Sequence, residues 1–278
     1  MRVLIIFLCV CGMASIARAE IAFTGRAEQG GVVVGQVAPG TSVKFGSREI
    51  AVTSDGRFVI GFDRDAPKSA DLTVTSPDGT TTVETLKVAP RKWQIERVEG
   101  LPPKLVTPDP ATAAKIAADN KLMRAVRART EPVAYFDSGF AMPAQGRISG
   151  VYGSQRILNG EPRAPHVGLD IAAPTGTPVH AAADGIVSLA KADMVLTGQT
   201  VVLEHGYGLD SVYIHMSEIA VKDGQHVKQG DLIGKIGMTG RATGPHLHFG
   251  VMWFDTRLDP ETVLAVLPPS TAGHGAAQ

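Results

Sequence analysis

Four histidines and one aspartate in the second half of the chain have the types and spacing of a shared chemical site. His246 and His248 alternate in Gly244-Pro245-His246-Leu247-His248-Phe249-Gly250. Alternate residues of a strand point to one face, so these two imidazoles face one way and Leu247 and Phe249 the other. Their β-carbons would sit roughly 7 Å apart. That separation lets one ring bind a metal while its neighbour stands over a metal-bound water. His166 and Asp170, in Pro165-His166-Val167-Gly168-Leu169-Asp170, would lie roughly 13 Å apart on a straight strand at ~3.3 Å per residue. Two ligands of one zinc, each bound at about 2 Å, cannot be that far apart. If they share a metal the backbone must bend between them, and Gly168 is where it could. His215, in Val212-Tyr213-Ile214-His215-Met216, shares a strand face with Tyr213, opposite Val212, Ile214 and Met216. A lone histidine in such a strand is more often structural than catalytic, so its weight comes from its company.

The rest of the chain narrows the donor set. Residues 1–19 read as a signal peptide: Arg2 is a short positive start, Val3 to Cys11 an apolar run, and Ala17-Arg18-Ala19 a cleavage site. The apolar run is too short for a membrane span. The expectation is export, to the periplasm or cell envelope of a bacterium, with no stable membrane anchor. The chain has 2 Cys, Cys9 and Cys11, and both fall in that segment. A mature chain without cysteine has neither disulfides nor thiolate chemistry, so any metal must be held by His and carboxylates. Formal net charge is +0 for the whole chain. Loss of Arg2 and Arg18 leaves 25 basic against 27 acidic residues, a net charge of −2. Nothing there suggests a nucleic-acid partner.

Several elements must position these side chains. Residues 20–99 read as a small β-sandwich-like accessory domain, because Val32-Val33-Val34, Val43-Lys44-Phe45, Phe58-Val59-Ile60 and Leu72-Thr73-Val74 are punctuated by Pro39-Gly40, Asp55-Gly56 and Pro77-Asp78-Gly79. Residues 100–135 read as a Pro-rich linker (Pro102, Pro103, Pro108, Pro110) followed by a helix over Ala111 to Arg129. Asp109 or Thr107 can cap that helix, and Arg124, Arg127 and Arg129 suit its C-terminal end. Its apolar stripe, Ile116, Met123 and Val126, is thin. Residues 136–265 change texture to strands and tight glycine turns, with a short helix starting near Asp259-Pro260-Glu261, and residues 266–278 read as a flexible tail.

His166-Val167-Gly168-Leu169-Asp170, then Tyr213-Ile214-His215-Met216, then Gly244-Pro245-His246-Leu247-His248-Phe249 resemble the motifs of the M23 (lysostaphin/LytM-type) metallopeptidases. Gly153 to Arg156, Ala173-Pro174-Thr175-Gly176-Thr177-Pro178-Val179, Ala183-Asp184-Gly185 and Gly237-Met238-Thr239-Gly240 match too. The resemblance covers about residues 138 to 260. It implies a mainly β fold whose C-terminal domain is an antiparallel hybrid barrel (a duplicated hybrid motif), and a zinc endopeptidase acting on peptide cross-links of peptidoglycan. Carried over by position, it implies that His166, Asp170 and His248 bind Zn²⁺ and that His215 and His246 are the catalytic pair. It places His180, His205, His226 and His274 outside the ligand set. Two imidazoles and a carboxylate would leave zinc a fourth position for water, with that water's pKa lowered towards ~7. No glutamate follows an HExxH pattern, so a proton acceptor must come from elsewhere. His246 is the candidate base and His215 the candidate oxyanion stabiliser, with the assignment between the two open at this point.

Two rival readings have distinguishable signatures. A non-catalytic, wall-binding or amidase-activating relative would lack one or more of the five residues, and all five are present. A biotinyl or lipoyl carrier, suggested by Asp223-Gly224-Gln225-His226-Val227-Lys228-Gln229-Gly230-Asp231, would need a lysine at the tip of a tight hairpin in a Met-Lys-Met or Asp-Lys-Ala context, and none occurs. The front domain could target the wall, bind a regulatory partner or shield the cleft.

Overall fold

The computed structural model describes residues 21–98, 109–158 and 160–270. The expected signal segment with both cysteines, the prolines at 102, 103 and 108, and the tail from 271 with His274 lie outside the described residues.

The first eight strands are β1 (Ala22–Gly25), β2 (Val32–Gln36), β3 (Ser42–Phe45), β4 (Arg48–Ile50), β5 (Arg57–Gly61), β6 (Ser69–Thr75), β7 (Thr81–Lys87) and β8 (Ile95–Val98). The first seven build a three-stranded sheet, β1-β2-β5, and a four-stranded one, β4-β3-β6-β7, both antiparallel. All four apolar runs of the sequence fall on strands and all three turn clusters on turns. Strand β5 departs from alternation, with Phe58, Val59, Ile60 and Gly61 all buried. A strand covered on both faces favours a continuous apolar run. Gly61 shows what covers one of them: a β-carbon there would lie 2.6 Å from Leu258 and 3.1 Å from Trp253.

Helix α1 (Pro110–Arg127) starts as its composition predicts, with Asp109 as the cap: its Oδ1 accepts from the amides of Ala111 and Thr112 at 3.0 Å. Met123 and Val126 pack against Leu189, Met194, Val202, Val212 and Ile214 in a small apolar cluster of their own. A 3-10 turn (Tyr135–Ser138) follows, then β9 (Arg147–Gly150), β10 (Gln155–Leu158), β11 (Glu161–Pro162), β12 (Leu169–Ala172), β13 (Pro178–His180), β14 (Gly185–Met194), β15 (Gly198–Glu204), β16 (Leu209–Ile219), β17 (His226–Val227), β18 (Leu232–Ile236), β19 (His246–Trp253), β20 (Thr256–Leu258) and α2 (Pro260–Val266). Ten of these strands form one antiparallel network in the order β17-β14-β15-β16-β19-β12-β9, with β18 pairing both β13 and β16, and β20 pairing β19.

The two halves share one apolar cluster, running from Val32, Phe58 and Leu72 through to Tyr213, Phe249 and Trp253. Phe45 meets Trp253 edge-on with ring centres 5.9 Å apart. Arg48 pairs with Asp255 at 2.9 Å, Arg91 with Asp259 at 2.8 Å, and Arg57 with Asp137. Strand β8 lies parallel to β10, so the front half adds a strand to the hairpin that leads to His166. No helix among the described residues is long and apolar enough to cross a membrane.

Candidate metal centre

The fold brings His166, Asp170 and His248 together. His166 Nε2 lies 3.0 Å from Asp170 Oδ1 and 2.9 Å from His248 Nδ1, and His248 Nδ1 lies 2.8 Å from Asp170 Oδ1. Strand pairing explains one edge of this triangle: Asp170 on β12 stands directly opposite His248 on β19. The other edges need the bend between His166 and Asp170, and the chain does bend at Gly168 before β12 begins. The reason for glycine there is close approach. A β-carbon at 168 would meet the Phe249 carbonyl at 2.5 Å and His248 Nε2 at 2.7 Å. Gly150 serves the same end on the other side, since a β-carbon there would run into the Asp170 carboxylate.

The donor chemistry fits a divalent ion. Two imidazole nitrogens and one carboxylate oxygen form a triangle with edges of 2.8 to 3.0 Å. Neighbouring ligand atoms of a tetrahedral zinc with ~2.0–2.1 Å bonds are about 3.3 Å apart. The set is half-buried, and it is the group among the described residues arranged to hold a metal. His166 donates its Nδ1–H to the Val151 carbonyl at 3.0 Å, which leaves the Nε2 lone pair facing the other two donors. Burial drives the His166 imidazolium down, but hydrogen bonding and charge from Asp170 outweigh it and raise its pKa. Burial works against the Asp170 carboxylate, and the two imidazoles reverse this, holding its pKa well below the usual carboxylate range. Burial lowers His248. An ionised carboxylate between two histidines is the charge state a cation requires.

His215 and His246 stand next to this triangle. Their ring centres are 4.8 Å apart, and that of His215 is 6.4 Å from that of His248. His246 donates Nδ1–H to the Gly244 carbonyl at 2.9 Å and turns Nε2 to within 3.9 Å of Asp170 Oδ1. His215 donates Nδ1–H to the Thr239 carbonyl at 2.8 Å. Burial lowers the His215 pKa to about 4, so its ring is neutral at pH 7. Both rings therefore present Nε2 as a lone pair when neutral.

One expectation from strand alternation fails at His215. Tyr213 and Met216 join the same large core, while Val212 and Ile214 face helix α1. The cause is a φ of 64° at His215 together with pairing irregularities on both flanks of β16. A non-glycine residue in that region is strained and persists only where its surroundings hold it. The remaining histidines stay outside the cluster. His205 is fully buried between the Asp184 carbonyl and Ser211 Oγ, at 2.6 and 2.7 Å. His180 bonds the Gly230 carbonyl at 2.9 Å, and the exposed His226 meets Tyr135 edge-on.

The acceptors that orient the rings, the carbonyls of Val151, Thr239 and Gly244, escape a reading of side-chain patterns because any residue type has a carbonyl. One side chain did leave a trace. Asp119 interrupts the stripe of Ile116, Met123 and Val126, a carboxylate on the apolar face of α1.

Residues 164–260 match the family model described as Peptidase family M23. Over 111 residues, 40% of this chain, the sequence is 41% identical to the peptidoglycan DD-endopeptidase ShyA of Vibrio cholerae, of which 26% is covered. Over 112 residues, 40% of this chain, it is 38% identical to the DD-carboxypeptidase/endopeptidase Mpg of Neisseria meningitidis, again with 26% of that protein covered. The chain thus spans about a quarter of the length of these curated relatives. A crystal structure of a Pseudomonas aeruginosa protein described as a peptidase M23 superposes with a TM-score of 0.69 at 28% identity, covering 88% of this chain and 97% of that one. The likeness therefore extends through the front β module as well as the histidine cluster. Residues 164–260 therefore carry a domain of peptidase family M23.

Proposed function

We propose that this protein is an exported zinc endopeptidase that hydrolyses peptide cross-links of bacterial peptidoglycan, including bonds next to D-alanine. The observation that carries this reading is the His166–Asp170–His248 triangle with His215 and His246 beside it. The names of ShyA and Mpg support the substrate class.

His166, Asp170 and His248 would hold the metal through Nε2, Oδ1 and Nδ1. Bound there, zinc supplies Lewis acidity, lowering the pKa of a water towards ~7 and polarising the scissile carbonyl. The protein's own part is proton handling and orientation. His246, its Nδ1–H committed to Gly244, offers Nε2 to take a proton from the attacking water and return it to the leaving amine. His215 can donate to the oxyanion of the tetrahedral intermediate only from a protonated Nε2, because Thr239 engages its Nδ1–H. Burial opposes that proton, with a pKa of about 4. The charge developing on the oxyanion favours uptake of that proton from solvent, which ties the interaction to the transition state.

The front module stands clear of this chemistry. No hydrogen bond, ion pair or ring contact among the described residues joins residues 21–98 to any of the five site residues. Its contacts gather on Trp253, Asp255, Asp259, Asp137 and Tyr152. A structural support for the peptidase domain follows more directly than a shield over the cleft.

Incubating the zinc-loaded protein with purified cross-linked muropeptides, followed by mass analysis, tests the proposal and identifies the bond. Monomeric muropeptides with a freed amine at the former cross-link are expected. Intact dimers with a folded, zinc-loaded protein would contradict it and favour a non-catalytic wall-binding role.

A further inference from the structure

The strained backbone at His215 is held by a three-residue turn, and that turn is tied to the linker helix. Val195, Leu196 and Thr197 connect β14 to β15, and each gives one backbone group to a different element. The Thr197 carbonyl accepts from the His215 amide at 2.8 Å, and the Leu196 carbonyl accepts from the Arg241 amide at 2.9 Å. The Val195 amide donates to Asp119 Oδ2 of α1 at 2.8 Å. The segment leading to Arg241 contains Thr239, whose carbonyl orients the His215 ring. Thr239 is itself fixed to both sides: its Oγ1 donates to the Met216 carbonyl at 2.7 Å and accepts from the Gln199 amide at 2.9 Å. Gly198 and Gly240 are packed so closely that a β-carbon at 198 would lie 2.7 Å from the Gly240 amide. The turn, the Thr239 loop and His215 are therefore one hydrogen-bonded unit.

We infer that Asp119 is a positioning residue for His215, acting through the Val195–Thr197 turn. This inference rests on the proposed role of His215 in peptide hydrolysis. Its physical basis is the placement of a carboxylate on the buried stripe of α1, between Ile116 and Met123, where an apolar residue would pack better against the sheet. A half-buried carboxylate at such a place is stabilised by a partner. Here the partner is the Val195 amide, at 2.8 Å. Met123 and Val126 seat the same helix against Val212 and Ile214, the residues of β16 just before His215. The far end of the helix is anchored independently: Glu204 Oε1 accepts from the Glu131 amide at 3.0 Å and from Thr130 Oγ1 at 3.3 Å. Losing the Asp119 contact thus frees the turn without releasing the helix. The helix joining the two halves becomes a brace for the catalytic wall.

The test uses the full chain with three substitutions. Asp119→Ala removes the acceptor, Asp119→Asn keeps one, and Lys115→Ala removes a different α1 contact, the exposed ion pair to Asp193 at 4.0 Å. Asp119→Ala is expected to lower kcat on cross-linked muropeptides about 10-fold with KM changed less than about twofold. Asp119→Asn is expected to keep at least about half of the activity, and Lys115→Ala all of it. In ¹⁵N spectra of the imidazoles, Asp119→Ala should shift the His215 Nδ1 resonance, which reports its bond to Thr239, and leave His205 in place. Wild-type kcat and an unmoved His215 resonance in Asp119→Ala, with any loss confined to melting temperature, would overturn the inference. If the wild-type protein binds zinc and cleaves nothing, the proposed activity fails, and the His215 resonance alone decides whether Asp119 positions that ring.

Discussion

Gly168 and His248 are in contact such that any β-carbon at 168 would lie 2.7 Å from His248 Nε2 and 2.5 Å from the Phe249 carbonyl. Residue 168 is therefore packed against the face of the site, and relief requires moving either β19 or a candidate ligand. Gly168→Ala is expected to weaken zinc binding at least ~10-fold, the scale seen when a ligand's orientation is disturbed. Competition with a chromogenic chelator measures this. Unchanged affinity would show that the loop yields without disturbing His248.

The two histidines beside the triangle should separate from the three within it. His246→Ala and His215→Ala should each lower kcat about 100-fold or more while metal content stays at the wild-type value. His166→Ala, Asp170→Ala and His248→Ala should lose metal and activity together. Metal analysis alongside initial rates on muropeptides distinguishes the classes, and full activity in either single catalytic variant would rule out its role.

Stability should fall on mild acidification because of His205. Burial holds its folded pKa at about 4, against 6.5 for the free side chain. The unfolded chain therefore binds more protons than the folded one between these values. The contribution is complete above pH ~6.5 and is lost progressively as pH drops to about 4, amounting to about 3 kcal/mol. Urea denaturation at pH 7.5 and pH 4.5 measures it. His205→Asn, which keeps a donor for the Asp184 carbonyl, should flatten the difference, and an equally steep curve would assign the effect to other groups.

The shared core predicts that the halves do not separate cleanly. Without residues 21–98, Trp253, Leu258 and Val266 would lose the partners supplied by Phe45, Gly61 and Gly25. Residues 131–278 alone should melt more than about 5 °C below the full chain. They should cleave muropeptides no faster than the full chain. A truncated protein with wild-type melting and higher activity would instead make the front half an inhibitor.

Much of this arrangement was legible before the structure. Alternation in His246-Leu247-His248-Phe249 predicts which side chains enter the core, and Leu247 and Phe249 are both fully buried. The turn residues of the front module and the Asp109 cap were readable because glycine, proline and aspartate act locally. What escaped depends on distant partners. Alternation gave Met216 the wrong face because it assumes a regular strand, and the strain at His215 comes from the Thr197 and Thr239 loops. Backbone carbonyls carry no sequence label, so the acceptors that set the three tautomers were invisible. The double burial of β5 follows from what packs behind it, and only the continuous run Phe58-Val59-Ile60 hinted at it.

In the proposed reaction His166, Asp170 and His248 together hold one zinc that the hydrolysis requires. The most direct measurement is zinc content and muropeptide cleavage on the same preparations of wild-type protein, chelated protein, chelated protein with zinc restored, and the three ligand variants. The expected results are one zinc per wild-type chain, loss of cleavage on chelation, recovery with zinc, and neither zinc nor cleavage in His166→Ala, Asp170→Ala or His248→Ala. Cleavage at the wild-type rate by metal-free protein, or by a folded variant lacking one of the three ligands, would contradict it.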